Sequence, residues 1–163
     1  MSSRGITTRR AVLALMLTGV AACGFTPAFA PGAPTLALRN DVAVVAPQTI
    51  PGFAIRSHLI DRLGRADPAA YTLTVALDQA LDVAALSREG DELRYNVVGA
   101  AGWTLTDAAG TILGNGQVDG FTSYSATGST VATQAAATDA VGRLMVVLGD
   151  SIVADLLLLD LTP

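Results

Sequence analysis

The chain has 163 residues, of which 51% are hydrophobic and 15% charged, with fourteen acids, ten arginines and no lysine. A formal charge of −4 and the lack of lysine leave no basic patch of the kind nucleic-acid binding needs. The single cysteine allows no internal disulfide, and one histidine is too few for a histidine-rich zinc site.

The first segment reads as an export leader, residues 1–22. Arg4, Arg9 and Arg10 make a basic head, Ala11 to Val20 a short apolar run, and Val20-Ala21-Ala22 a small-residue end. The run is too short to span a bilayer, which needs about 20 apolar residues. It ends on Cys23, the only cysteine, in the pattern of a bacterial lipobox. Cleavage before Cys23 would make its acylated thiol the new N-terminus, carrying a diacylglycerol and an N-acyl chain. Two or more chains anchor stably where one does not. The competing reading is an ordinary cleavage near Ala28-Phe29-Ala30. Gly24, rather than Asp, after the cysteine points to the outer membrane, and Thr8-Arg9-Arg10 leaves twin-arginine export open beside the general route. Removing Arg4, Arg9 and Arg10 with the leader leaves seven arginines against fourteen acids, a formal charge of −7.

Residues 23–40 hold three prolines and two glycines after Cys23 and read as a flexible tether. Residues 41–163 follow as a single α+β domain. Val42, Val44 and Ala46 alternate with polar or small neighbours and predict a short strand that stops at Pro47. Ile55, Leu59 and Leu63, with Ile60 beside them, predict an amphipathic helix from Phe53 to Gly64, closed by Gly64 as its cap. Tyr71, Leu73, Val75 and Leu77 alternate with Thr72, Thr74, Ala76 and Asp78 in a second strand that extends toward Leu86. Ser87–Glu92 is a polar hairpin turn.

A third, long strand places Leu93, Tyr95, Val97, Ala101, Trp103 and Leu105 on one parity and Arg94, Asn96, Thr104 and Thr106 on the other. Gly99 and Gly102 predict bulging or close approach. After the turn at 107–110, a fourth strand runs from Thr111 to Tyr124, with a bulge expected between Leu113 and Val118, where the parity breaks around Gly114 and Gly116. Gly128-Ser129-Thr130 offers a helix start. Val141, Leu144, Leu148, Ile152, Leu156 and Leu159 then extend one long helix from about Thr130 to about Leu159. Gly142 and Gly149 lie on one of its faces.

The order strand-helix-strand-strand-strand-helix predicts a two-layer sandwich with two helices packed on one face of a four-stranded mixed sheet. The other face, bearing Thr72, Thr74, Arg94, Asn96, Thr104 and Thr106, has no helix left to cover it. It is either solvated or buried against a partner. His58 reads as an ordinary helix residue. Asp78 with Asp82, and Glu89, Asp91 and Glu92, read as strand-edge and turn residues; the contrary reading makes them the acids of a small hydrolase. The glycine-rich 110–116 stretch lacks the lysine and the strand-to-helix context of a phosphate loop. Nothing here amounts to an active site.

Ala22-Cys23-Gly24-Phe25-Thr26-Pro27, the Tyr71-x-Leu73-x-Val75 strand and Ser123-Tyr124 through Ala132-Thr133 resemble, in that order, the outer-membrane LPS-assembly lipoprotein family LptE. Asp139, Arg143-Leu144 and Gly149-Asp150-x-Ile152 add to the likeness. The resemblance spans nearly the whole mature chain. It implies a non-enzymatic, lipid-anchored protein on the periplasmic side of the outer membrane. It also implies the plug and assembly subunit of a large β-barrel, the LPS translocon LptD, assisting lipopolysaccharide transport to the outer leaflet, with no cofactor beyond the lipid on Cys23. Thr72, Thr74, Asn96, Thr104 and Thr106 would then face the barrel wall. Of the basic residues through which the family is proposed to touch LPS, only Arg88 and Arg94 have counterparts here. The alternative of another class is an auxiliary lipoprotein of an ABC-type phospholipid-transport system.

Overall fold

The computed structural model describes residues 38–90, 92–159 and 161. Cys23 and the tether lie outside them. The elements are β1 (Val42–Val45), α1 (Ile50–Leu63), β2 (Tyr71–Leu86), β3 (Glu92–Asp107), β4 (Ile112–Ser125) and α2 (Thr130–Leu156). The sheet order is β1-β2-β3-β4. β1 pairs parallel to β2, across the helical connection, and the other two pairings are antiparallel hairpins. Two helices on one side of a four-stranded mixed sheet is the expected α+β architecture.

Helix α1 begins three residues before the apolar periodicity does. Thr49 caps it, its hydroxyl accepting from Gly52 N at 3.2 Å. Pro51 sits in the first turn, where its missing N–H removes no helical bond. The helix ends as expected at Gly64, whose N–H donates to the Ile60 carbonyl at 2.8 Å. Gly64 has φ +89°, a conformation that side chains rarely adopt, and the Asn40 amide fills the place of a Cβ. Its ψ of 165° makes it an extended stop rather than a left-handed cap. Helix α2 starts on Ser129, whose hydroxyl accepts from Ala132 N at 3.3 Å. It stops at Leu156, short of the predicted Leu159, and Leu158 is exposed beyond it.

The core lies between the helices and one parity of each strand. Leu73, Val75, Val97, Ala101, Trp103 and Leu105 meet Ile55, Leu59, Leu144, Leu148, Ile152 and Leu156 there, with Leu38 and Val42 closing one end. The register explains why β4 loses its apolar alternation. Its helix-facing positions are Gly114, Gly116, Val118, Gly120, Thr122 and Tyr124, paired with Leu105, Trp103, Ala101, Gly99, Val97 and Tyr95. A Cβ on Gly116 would come 2.9 Å from the Trp103 ring, and one on Gly120 3.1 Å from Val147. The glycines make room for large neighbours instead of marking a bulge. The irregularity opposite Leu105 and Thr106 falls beside Leu113, at the edge of the predicted interval, and two more lie near Ala85. Gly102 and Gly142 have nothing within 4 Å of a Cβ, so neither mediates a close approach.

Each edge strand has one carbonyl taken by an arginine from a helix: Arg56 Nε donates to Val44 O and Arg143 Nη2 to Ser123 O, both at 3.1 Å. Charged side chains at sheet edges blunt further strand pairing.

Candidate interaction surface

The parity that builds the core leaves the opposite sheet face without a helix among the described residues. Thr72, Thr74, Arg94, Asn96, Thr104 and Thr106 all fall on it, because each is offset by one residue from a core position. Thr72 pairs with Thr106 and Thr74 with Thr104, so four of the predicted face residues form two adjacent rows. Asn96 and Arg94 lie farther along β3, against Ser123 and Ser125. Thr106 also donates from its hydroxyl to the Thr72 backbone carbonyl at 3.4 Å, tying this side chain to the neighbouring strand.

This face is less uniformly polar than the threonines imply. Ala80, Val98 and Phe121 form one row across β2, β3 and β4, and Asp78, Ala100 and Asp119 form the next. These six residues line a shallow depression of about 320 Å³. Phe121 is 65% and Val98 37% exposed, large apolar side chains set among hydroxyls and carboxylates. Sequence reasoning missed this patch. The signal for Val98 was present, an apolar residue on the Arg94–Asn96–Thr104 parity. Phe121 was hidden because the glycines of β4 blur which of its parities faces the core.

Arg88 lies in the exposed β2–β3 turn and Arg94 on β3 of the same hairpin. Neither has an ion-pair partner among the described residues. Glu89 and Glu92 share the tip, so the hairpin is not a cationic patch. Tyr95 donates to the Glu92 carboxylate and stacks on Tyr124 at 5.3 Å between ring centroids, which steadies the base of the hairpin. Asp91 lies outside the described residues.

The two strand acids singled out from the sequence do not form a close pair. Asp78 and Asp82 sit on one strand four residues apart, a separation of about 13 Å at about 3.3 Å per residue. Paired carboxylates that act on one bond lie about 5–9.5 Å apart. His58 reaches across from α1 to α2, with Nε2 2.9 Å from Asp150 Oδ1, and Arg62 Nε lies 3.1 Å from the same oxygen. Gly149 makes this possible, since a Cβ there would stand 2.8 Å from His58 Cδ2. The glycine thus serves helix–helix contact, and the histidine holds two helices together. At the β3–β4 turn the Asp107 carboxyl is held below the ordinary carboxylate range, chiefly by the Thr111 N–H that it accepts at 2.8 Å, with Ala109 N–H adding to the effect and desolvation opposing it. Among the described residues no three His, Cys, Asp or Glu side chains cluster as metal ligands, and no helix is long and apolar enough to cross a membrane.

Comparison with known proteins adds a family and a fold. The model of the family described as LptE, Lipopolysaccharide-assembly, matches residues 40–156. A Caulobacter crescentus protein described as a lipoprotein is 24% identical, with a TM-score of 0.64, over 76% of this chain and 92% of its own. Rare lipoprotein B of Shewanella oneidensis is 11% identical with a TM-score of 0.53, over 70% of this chain and 91% of its own. A minor lipoprotein of Acinetobacter baumannii is 12% identical with a TM-score of 0.55, over 72% and 90% respectively. At these identities the likeness is one of fold. No curated protein sequence matches significantly.

Proposed function

The chain belongs to the LptE lipopolysaccharide-assembly family, and from that membership we propose that it is a non-enzymatic, lipid-anchored subunit of the outer-membrane LPS translocon. In this reading Cys23 is acylated and holds the domain to the periplasmic side of the outer membrane. The domain plugs a large β-barrel partner, LptD, and supports its assembly and the passage of lipopolysaccharide to the outer leaflet. No cofactor takes part.

The observation that carries the reading is the family match over the whole folded region, from before β1 to the end of α2. The uncovered sheet face is the surface best suited to the barrel wall, because it combines short hydroxyls with an exposed apolar patch. Interfaces of this kind join an apolar centre to a polar, hydrated rim. Thr72, Thr74, Asn96, Thr104 and Thr106 supply the rim. Arg88 and Arg94 are the residues assigned to any lipopolysaccharide contact, and the acids beside them make that contact secondary to the protein interface.

The test is purification of the tagged, lipidated protein from outer membranes in mild detergent, followed by mass spectrometry. A near-stoichiometric large β-barrel is the expected result. Recovery of ABC-transporter or phospholipid-transfer components without a barrel would overturn the proposal.

A further inference from the structure

We propose that the depression at the centre of the uncovered sheet face is a socket for a basic side chain, arginine or lysine, projecting from the protein that covers that face. The inference rests on the reading that a protein partner lies there, and it specifies the chemistry of the contact.

The floor of the socket is low because Ala80 and Ala100 carry only methyl groups beside Val98 and Phe121. Asp78 and Asp119 flank Ala100 from the two neighbouring strands. Two interstrand spacings put their backbones about 9.5 Å apart, leaving width for one side chain between the carboxylates. Neither has an ion pair among the described residues. Among the described residues the one cation on this face, Arg94, lies six residues along β3 from Ala100, about 20 Å away, and cannot neutralise them.

An occupant must therefore satisfy two demands at once. Its stem has to cover the apolar floor, and its head has to meet two carboxylates. Arginine and lysine have that construction, an aliphatic chain that buries along apolar surface and a charged tip. Arginine gains further from the exposed Phe121 ring, over which a guanidinium stacks favourably. An anionic lipid headgroup meets the wrong charge, since Asp78, Asp82 and Asp119 outnumber Arg94 here. A second copy of the chain is a poor occupant for the same reason, with seven arginines against fourteen acids and no lysine in its mature part.

The experiment uses the full lipidated chain in outer membranes, with the photo-crosslinking residue p-benzoylphenylalanine at position 121 and, as control, at the exposed Ser57 of α1. Position 121 is expected to crosslink to one protein partner, at a peptide bearing arginine or lysine next to the attachment. Ser57 is expected to give no such product. The double variant D78K/D119K should lower both the crosslink and the co-purified partner about tenfold or more, because like charges facing across an interface are strongly unfavourable. D61K on α1 should leave both unchanged. Crosslinking at position 121 to lipid, to a second copy of this chain or to nothing would overturn the inference, as would full partner recovery with D78K/D119K. The two readings fail separately. A wild-type protein that brings down no barrel refutes the translocon reading. A wild-type protein that brings down a barrel which D78K/D119K also retains refutes the socket alone.

Discussion

Replacing Gly99 by alanine tests whether glycines set the distance between sheet and helix. Gly99 lies on the core face of β3, and a Cβ there would stand 2.9 Å from Leu144 Cδ2 and 3.3 Å from the Asp78 carbonyl oxygen. Leu144 is fully buried, so its side chain can yield only by shifting within the core, and the carbonyl belongs to the neighbouring strand. Overpacking of this kind costs about 1–3 kcal/mol, offset by about 0.5–1 kcal/mol because alanine loses less backbone freedom than glycine. The expected net loss is about 0–2.5 kcal/mol, centred on about 1 kcal/mol. Leu144→Ala alone should cost about 2–5 kcal/mol, the usual range for a buried leucine. In the double variant the new methyl enters the space that Leu144 vacates, so the two losses should not add. Urea unfolding of the soluble mature chain from Gly24, followed by the fluorescence of buried Trp103, measures all three. A combined loss at least about 1 kcal/mol below the sum is expected, against the few tenths that independent sites show. Additive losses, or a stabilising G99A, would refute the account of Gly99 as a spacer.

Other predictions concern single contacts. Thr122 donates its hydroxyl to the Ala140 carbonyl at 2.7 Å in the core, so T122V should lose about 1 kcal/mol in the same unfolding assay and T122S distinctly less. Trp103 Nε1 donates to Asp155 Oδ2 at 3.1 Å; D155A should destabilise by about 1–2 kcal/mol and shift the tryptophan emission. Asp107 has its pKa lowered by the turn it closes, so its contribution is present above the unfolded carboxylate pKa and is lost as pH falls through the lower folded value. The gap in stability between wild type and D107N should therefore be widest near neutrality and shrink on acidification, and a gap that grows instead would contradict the assignment. Acylation of Cys23 predicts palmitate labelling that disappears in C23S; labelling that persists would rule out this residue as the anchor.

Much of the architecture was legible because core positions repeat. Tyr71, Leu73 and Val75 alternate cleanly, and Leu144, Leu148, Ile152 and Leu156 recur every four residues, so the second strand and the last helix are readable without a structure. The start of α1 was not, since its signal is a cap and a first-turn proline rather than hydrophobicity, and Ile50 and Phe53 there are exposed. β4 hid its register for a different reason. Glycine occupies core-facing positions where a neighbouring side chain already fills the volume, and a hydrophobic pattern cannot record space filled from the other side. The link from His58 to Asp150 joins residues 92 apart. Nothing local announces it, and only the packing of α1 on α2 brings the pair together. On the uncovered face the threonines were legible by parity. The patch between Val98 and Phe121 required the pairing of β3 with β4 to bring an isolated valine and an isolated phenylalanine into one row.

The distribution of charge bears on how such a chain takes part in lipopolysaccharide assembly. Lipopolysaccharide is anionic, and a protein that held it directly would concentrate cations where its phosphates pass. Of the described arginines, Arg56 and Arg143 are engaged at the two sheet edges, Arg62 is paired with Asp150, Arg88 and Arg94 share their hairpin with Glu89 and Glu92, and Arg39 and Arg65 flank the Asn40–Leu63 hydrogen bond at the end of α1. Among the described residues the uncovered face sets Asp78, Asp82 and Asp119 against Arg94. A surface of that sign repels a phosphorylated glycolipid and attracts a basic protein wall. On the proposed reading, the charge of this face favours a contact with a basic protein surface over a contact with the anionic lipid.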